Sequence, residues 1–426
     1  MLIFNGVCFA NYRYIETGRR PEKPKPTIIE YGLGSYSPPI SETKKNSILN
    51  LNNNSSSEGI NPLNGGLVLI NNDIAKSGRN IPLLITRFYN SKGVWVHDPD
   101  TEGSVKLHLK RPGTMGQGWD CHFGKRESLD NYYVYRLPDG EECFLYYSGG
   151  GEYVSQDNRY YLMKGDTIYT KDGTRIVFSD TLVSKIIDVN GNYCSYYWSI
   201  HTGDESQTMP DSAVSSNGIR IYIYSSNKTG ETSFSHYIDS IKTKGYANQD
   251  FVMRYHYTNI EIITSLPILG NAFIEDLFPR DVTSTDRFVL TSVVDPNGDS
   301  VSYGYNSSGE LTTVNNPLGG ETYYGYGKYS FSVPEVDVPW VPTDTVFTRS
   351  VDTLKIKDSP GGTYRTTLYN RTYDTRRSNP EDCHIVDPYG NENVQYYKWS
   401  GWNYGTYYKF YPGYGTLWKT ETYEGS

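Results

Sequence analysis

Short apolar stretches alternate with turn-forming residues along most of this chain. Stretches such as 82–89, 132–137 and 174–178 are apolar or aromatic, and the last two are bounded by Pro-Asp-Gly or Lys-Asp-Gly triplets. Val, Ile, Tyr and Phe favour pleated strands, and Asp-Gly is typical of tight hairpin turns. No segment shows the 3.6-residue apolar period of a long helix. The pattern therefore predicts an all-β protein built from short antiparallel strands.

A phrase in the second half of the chain recurs after 21 residues. Val-Val-Asp-Pro-Asn-Gly at 293–298 precedes Tyr-Gly-Tyr at 303–305, and Val-Asn-Asn-Pro-Leu-Gly at 314–319 precedes Tyr-Gly-Tyr at 324–326. Each unit reads as a β-hairpin in which alternate tyrosines share one face of a strand. Such a unit cannot bury its apolar face alone and must stack on its neighbours. We expect a long, curved antiparallel sheet that grows by one hairpin per repeat.

Composition divides the chain into three segments. Residues 1–60 contain a charged Pro-rich stretch and an Asn/Ser-rich tract, so we predict a flexible leader there. Residues 61–180 have short strands without the repeated phrase, and we predict an N-terminal β module. Residues 181–426 carry the phrase and its variants, and we predict the repeat sheet there.

Charge and hydropathy exclude two classes of partner. The formal charge of −8 and the pI near 5.5 argue against nucleic acid, because phosphate binding needs clustered Lys and Arg. The longest uncharged apolar stretch, 262–274, contains Pro and Gly and is too short to cross a bilayer. We therefore expect neither a nucleic-acid partner nor a membrane span.

Signatures of catalysis and metal binding are missing from the sequence. It has no Gly-x-Ser-x-Gly elbow, no His-Glu-x-x-His helix and no complete phosphate-binding loop. The acidic stretch from Asp98 starts like a calcium-binding loop, but Leu109 stands where the bidentate Glu is needed. The five dispersed cysteines form no metal-binding motif. A disulfide between Cys121 and Cys143 is compatible with the sequence but is not predicted by it. We predict no catalytic residue, no cofactor and no metal.

The repeated phrase resembles the YD repeats of the Rhs family, the bacterial relatives of the teneurin shell. Three upstream segments, 61–67, 81–91 and 116–119, are similar to the opening of Rhs shells and support the resemblance from residue 61 onward. It implies a β-sheet that spirals into a hollow shell around a C-terminal toxin, delivered to a competing bacterium. The family's boundary motif has no match here, so no self-cleaving residue is assigned. We expect the opening portion of a shell without its toxin.

The residues expected to carry this function are structural. They are the recurrent turn residues and aromatic side chains Trp119, Asp295, Gly298, Tyr303, Tyr305, Pro317, Gly319, Tyr324, Tyr326, Asp387 and Gly390. The partners implied are the rest of the shell, an enclosed cargo and a secretion apparatus, and the location is the cell surface or the medium.

An alternative from another class is adhesion by carbohydrate binding. Trp399, Trp402 and Trp418 lie among tyrosines near the C-terminus, and flat aromatic faces stack on sugar rings. Packing between successive repeats explains the same residues and is favoured here. An enzyme such as a glycosidase is a third alternative, but no carboxylate pair supports it.

Overall fold

The computed structural model describes residues 27–30, 56–62, 64–76, 81–99, 105–129, 132–155, 159–201, 207–228, 236–245, 248–263, 284–333, 344–373, 380–398 and 416–423. Nearly all of them lie in strands or turns, which confirms the all-β prediction. The 3₁₀ turn Ser91–Gly93 is the helical element of the described segments. No helix in these segments is long and apolar enough to cross a membrane.

The strands of the first half are β1 Thr27–Glu30, β2 Ser56–Ile60, β3 Leu67–Lys76, β4 Leu83–Asn90, β5 Trp95–Pro99, β6 Val105–Leu109, β7 Trp119–Asp120, β8 Lys125–Leu129, β9 Tyr132–Arg136, β10 Glu142–Gly149, β11 Glu152–Ser155, β12 Leu162–Lys164, β13 Thr167–Tyr169, β14 Arg175–Ser179, β15 Leu182–Ile187, β16 Tyr193–His201 and β17 Gln207–Ser215. Those of the second half are β18 Arg220–Asn227, β19 His236–Lys244, β20 Asp250–Ile263, β21 Ser284–Val294, β22 Ser300–Tyr305, β23 Leu311–Asn315, β24 Glu321–Val333, β25 Asp344–Lys357, β26 Arg365–Tyr373, β27 Pro380–Val386, β28 Glu392–Lys398 and β29 Thr416–Tyr423.

One antiparallel sheet of 23 strands forms most of the molecule. From β8 to β29 each strand pairs with the next along the chain, and β1 pairs with β29 at the far edge. The sheet runs through residue 180 without a break, and β1 and β2 lie within 1–60. The two boundaries between the three predicted segments stay predictions.

The long sheet turns back on itself after its first eight strands. Leu182 of β15 pairs with Lys125 of β8, and two further backbone hydrogen bonds, from Arg126 N to Thr181 O and from Val183 N to Gly124 O, join the same strands. The ring from β8 to β15 is filled with buried side chains, among them Tyr135, Leu145, Met163, Ile168 and Phe178. The remaining strands continue from β15 beyond this closed turn.

Eight turns of the long sheet share one hydrogen-bond pattern. The first residue donates its N–H to the carbonyl of the fifth, and the glycine at the fourth position donates to the carbonyl of the first, at 2.8–3.1 Å. The glycines have φ between 75° and 92°, which identifies a tight turn followed by a left-handed residue. The eight turns, each given by its first residue and its glycine, are Leu137/Gly140, Thr170/Gly173, Asp188/Gly191, Ser215/Gly218, Asp295/Gly298, Asn306/Gly309, Asn316/Gly319 and Asp387/Gly390.

Eight strand pairs of the long sheet carry a β-bulge in a corresponding place. In each pair the later strand contains one extra residue, which bends the sheet and increases its twist. In both copies of the repeated phrase the register shifts between the Gly and the second Tyr of Tyr-Gly-Tyr. The shifts follow Val177, Tyr197, Tyr224, His256, Gly304, Gly325, Thr372 and Tyr396.

A separate four-stranded sheet, in the order β2-β3-β4-β7, packs against the long sheet. Its buried side chains join those of the long sheet in one hydrophobic core. We call it the N-terminal sheet. A two-stranded ribbon of β5 and β6 completes the described fold.

Candidate functional site

The contact between the N-terminal sheet and the repeats contains a buried polar network. Strand β4 turns Leu83, Ile85, Arg87 and Tyr89 toward the long sheet, because alternate residues of a strand share one face. All four are at most 4% exposed, so a guanidinium lies in a row that is otherwise apolar and aromatic.

Arg87 is paired with Asp73 of β3 inside this contact. Its Nε and Nη2 each lie 3.0 Å from a carboxylate oxygen of Asp73, and both side chains are nearly inaccessible to solvent. Two tyrosines of the long sheet complete the network: Arg87 Nη1 donates to the hydroxyl of Tyr303 at 2.6 Å, and the Tyr255 hydroxyl donates to Asp73 Oδ2 at 2.7 Å. A buried ion pair needs such additional hydrogen bonds to offset its desolvation.

Trp119 of β7 lies between the two sheets. Its ring centroid is 5.3 Å from that of Tyr89 and 4.9 Å from that of Tyr303, and the Arg87 guanidinium lies 5.0 Å above the ring. Its indole N–H donates to the Tyr305 hydroxyl at 2.8 Å. Trp119 therefore contacts both tyrosines of the first Tyr-Gly-Tyr phrase.

Aromatic side chains that follow the bulges are hydrogen-bonded to the preceding part of the sheet. Tyr257, Tyr305 and Tyr326 donate their hydroxyl hydrogens to the backbone carbonyls of Ile238, Leu290 and Leu311, at 2.6–3.0 Å. Leu290 is the strand partner of Tyr257, and Leu311 is the strand partner of Tyr305. Tyr305 and Tyr326 therefore each bond to the residue that lies opposite the preceding tyrosine of this set. The Trp198 indole makes the corresponding bond to Val183 O at 2.8 Å. We call this set the aromatic ladder.

Burial raises the pKa of Tyr303, Tyr305, Tyr324 and Tyr326, opposed at Tyr303 by the charge of Arg87. The hydroxyls therefore stay protonated at neutral pH. Those of Tyr305 and Tyr326 donate to backbone carbonyls, and that of Tyr303 accepts from Arg87. Burial also raises the pKa of the Cys194 and Cys383 thiols to about 11. Neither group is prepared for nucleophilic or acid–base chemistry.

The predicted structural residues divide into two groups. Trp119, Tyr303, Tyr305, Tyr324 and Tyr326 are buried or half-buried in the core, and the first three meet at the contact between the sheets. The turn residues Asp295, Gly298, Pro317, Gly319, Asp387 and Gly390 lie at the ends of hairpins, away from that contact. In these turns the side chains of Asp295 and Asp387, and that of Asn316 before Pro317, each accept two backbone N–H groups at 2.8–3.0 Å.

Two of the three predicted glycan-binding residues, Trp399 and Trp402, lie outside the described residues. Trp418 is the extra residue of the last bulge, in β29. Sequence reasoning missed Asp73, Arg87 and Tyr255. Arg87 could have been found, because a charge in the buried register of an apolar strand requires a partner.

The described cysteines do not form the disulfide that the sequence allowed. Cys121, Cys143, Cys194 and Cys383 are all buried, and no disulfide joins Cys121 to Cys143. Across the described segments, no three His, Cys, Asp or Glu side chains are grouped as metal ligands. The arrangement holds two sheets together.

Comparison with known proteins assigns two parts of the chain. Residues 290–321 match the family model of the RHS Repeat, and residues 57–144 match that of a domain of unknown function, DUF6531. No curated protein matches the sequence.

Two solved structures align with this chain at low similarity. The structure of TcdB2-TccC3 has a TM-score of 0.34 and 10% identity over 96% of this chain, which spans only 23% of that chain. The N-terminal domain of effector protein SpvB from Salmonella typhimurium strain LT2 has a TM-score of 0.24 and 11% identity, over 68% of this chain and 99% of its own. The RHS-repeat match falls on the strands that carry the first Tyr-Gly-Tyr phrase and its turns, so this chain contains a repeat of the Rhs/YD type.

Proposed function

We propose that this chain forms part of the wall of an Rhs-type shell that encloses a polypeptide cargo, such as a toxin. The observation that carries the proposal is the closed first turn of the sheet, where Leu182 pairs with Lys125 and the strands then continue. The first turn is filled with side chains and closes one end of the sheet. The hairpins added after it extend a continuous hydrogen-bonded wall that would enclose a volume beyond that end. The wall acts by containment and needs no catalytic residue.

The bulges and the aromatic ladder support this function. Bulges give each hairpin a bend, and the ladder ties each bend to the preceding strand pair, so curvature is fixed at every repeat. The N-terminal sheet occupies part of the buried face and fixes the wall from that side. We place the working shell outside the producing cell, after passage through a secretion apparatus.

Protection of a passenger peptide tests containment. An unstructured peptide with one site for a sequence-specific protease is fused after Ser426, and in a control chain it is fused before Met1. We expect cleavage of the C-terminal passenger to be slower by at least about tenfold, because a protease must wait for the shell to open. Equal cleavage rates at the two ends would contradict containment by this chain.

A second candidate function, glycan binding, is favoured by exposed tyrosines on the outer face of the sheet. Tyr197, Tyr222 and Tyr224 are 51%, 41% and 50% exposed. Tyr197 and Tyr222 both pair with Ser212, so they lie two strand spacings apart, about 9.5 Å. Loss of binding on a glycan panel in Tyr222→Ala supports this function, and Trp402→Ala tests the C-terminal candidate in the same assay.

A further inference from the structure

A second contact joins the N-terminal part of the chain to the repeats at β25 and β26. The loop 61–66 offers its backbone carbonyls to these strands. Gly65 O accepts from Val351 N, and Asn64 O accepts from Ser350 Oγ, both at 2.9 Å. Gly65 has φ +65°, and a Cβ atom at this position would lie 2.3 Å from Ser350 Cβ. The two backbones therefore approach more closely than any side chain at position 65 allows. We call this contact the seam.

The seam is rich in cationic groups. Lys92, which follows β4, extends its ammonium group to the carbonyl of Arg349 at 2.5 Å. Arg371 of β26 donates to Pro62 O at 2.7 Å and is only 8% exposed. Arg349 is paired with the buried carboxylate of Glu310 at 2.7 Å. Lys92, Arg349 and Arg371 thus bring three cationic side chains to the seam, where Glu310 is paired with Arg349.

The surroundings of Lys92 disfavour its protonated form. Burial and then the charge of Arg371 lower the pKa of Lys92 to about 7, and Glu310 opposes the shift. Among the described residues, the charges that act on Lys92 include Arg371 from β26 and Glu310 from the turn between β22 and β23. Arg349 of β25 contacts Lys92 through its backbone carbonyl, and its guanidinium is paired with Glu310.

We propose that Lys92 makes the docking of loop 61–66 on β25 and β26 depend on pH, so that the seam tightens as the pH rises above neutral. When the loop is undocked, Lys92 is solvated and keeps its proton up to about pH 10.4. When the loop is docked, the proton leaves above about pH 7. Docking therefore releases a proton between these limits, and the docking constant rises by up to about tenfold per pH unit. Below about pH 7 Lys92 is protonated in both the docked and the undocked state, so it adds no further pH dependence to the docking constant.

Hydrogen exchange at the Val351 amide measures this docking in the full chain, because that N–H donates to Gly65 O. Its protection factor, corrected for the intrinsic exchange rate, is followed at about pH 7, 8 and 9. We expect protection to rise by up to about tenfold per pH unit. The amide of Ile241, in the middle of β19, reports global unfolding and should not follow the same slope.

Three variants separate the role of Lys92 from a general effect of charge. Lys92→Met should keep Val351 protected with no dependence on pH, and Lys92→Arg should lower its protection equally at every pH. Lys164→Met removes a half-exposed lysine of β12 and should keep the slope of the unmodified chain. A flat profile in the unmodified chain would overturn the proposal. A slope retained in both Lys92 variants would also overturn it, and Lys92→Arg keeps the test valid if Lys92→Met does not fold.

Discussion

The hydroxyl of Tyr305 donates to the backbone carbonyl of Leu290 at 2.6 Å and accepts the indole N–H of Trp119 at 2.8 Å. This one oxygen joins a repeat tyrosine to the preceding strand pair and to the N-terminal sheet. Tyr305 lies directly after a bulge, where the backbone hydrogen bonds between the two strands are interrupted. The aromatic ladder therefore restores hydrogen bonding where the sheet bends.

Removing that hydroxyl should destabilise the wall. We expect Tyr305→Phe to lower the free energy of unfolding by about 1–3 kcal/mol, because it leaves buried polar groups without their partner. Tyr323→Phe is the matched control, since Tyr323 is 37% exposed, and it should change stability by less than about 0.5 kcal/mol. Urea unfolding of both variants measures the difference, and equal stabilities would show that the ladder contributes nothing.

The ion pair of Asp73 and Arg87 should respond differently to single and double substitution. We expect Asp73→Ala to cost about 3–5 kcal/mol, because it leaves a buried guanidinium unpaired. The double variant Asp73→Leu with Arg87→Met should recover most of this loss, since no buried charge then remains. Chemical unfolding of the single and double variants checks the prediction, which fails if the double variant is the less stable of the two.

The turn glycines should tolerate alanine poorly even where space is free. Gly298 has φ +92° and nothing within 4 Å of an added Cβ, so Gly298→Ala should cost about 1–2 kcal/mol through the backbone alone. Gly319→Ala should cost more, because its Cβ would lie 2.4 Å from Pro360 Cγ. Gly59→Ala, at an open position without positive φ, is the control. Thermal unfolding ranks the three variants, and the order Gly59, Gly298, Gly319 is expected.

The four described cysteines should be unreactive in the folded chain. Each is buried, and burial raises the pKa of the Cys121 thiol as well as those of Cys194 and Cys383. Since the thiolate is the reactive form, labelling at about pH 8 should be slow until denaturant is added. Mass spectrometry of labelled peptides checks each position. Fast labelling in the native state, or a peptide linked through Cys121 and Cys143, would contradict the structure.

The local chemistry of the turns could be predicted from sequence. Asp295 and Gly298 occur in a combination that favours one turn type, and the structure repeats that turn along the sheet. Period-2 alternation of Tyr303 and Tyr305 likewise predicted a strand with one aromatic face, as observed in β22.

Long-range contacts could not be predicted in the same way. The carbonyl that accepts from Tyr305 is a backbone group, and any residue at position 290 supplies it. Asp73 and Tyr255 reach Arg87 because two sheets meet, and no spacing in the sequence encodes that contact. The closed turn depends on the summed bend of eight strands.

The closed turn of the sheet is the central claim, because without it the wall encloses no volume. Paired residues of adjacent antiparallel strands have Cβ atoms about 4.5–5.5 Å apart, which allows a disulfide with a small adjustment. In the variant Lys125→Cys with Leu182→Cys, mild oxidation of the folded chain should form this bond, and trypsin digestion should recover the two linked peptides. Lys164→Cys with Leu182→Cys, whose residues are not paired, should give no such link. Absence of the 125–182 link in a folded chain would contradict the closed turn and the shell function that depends on it.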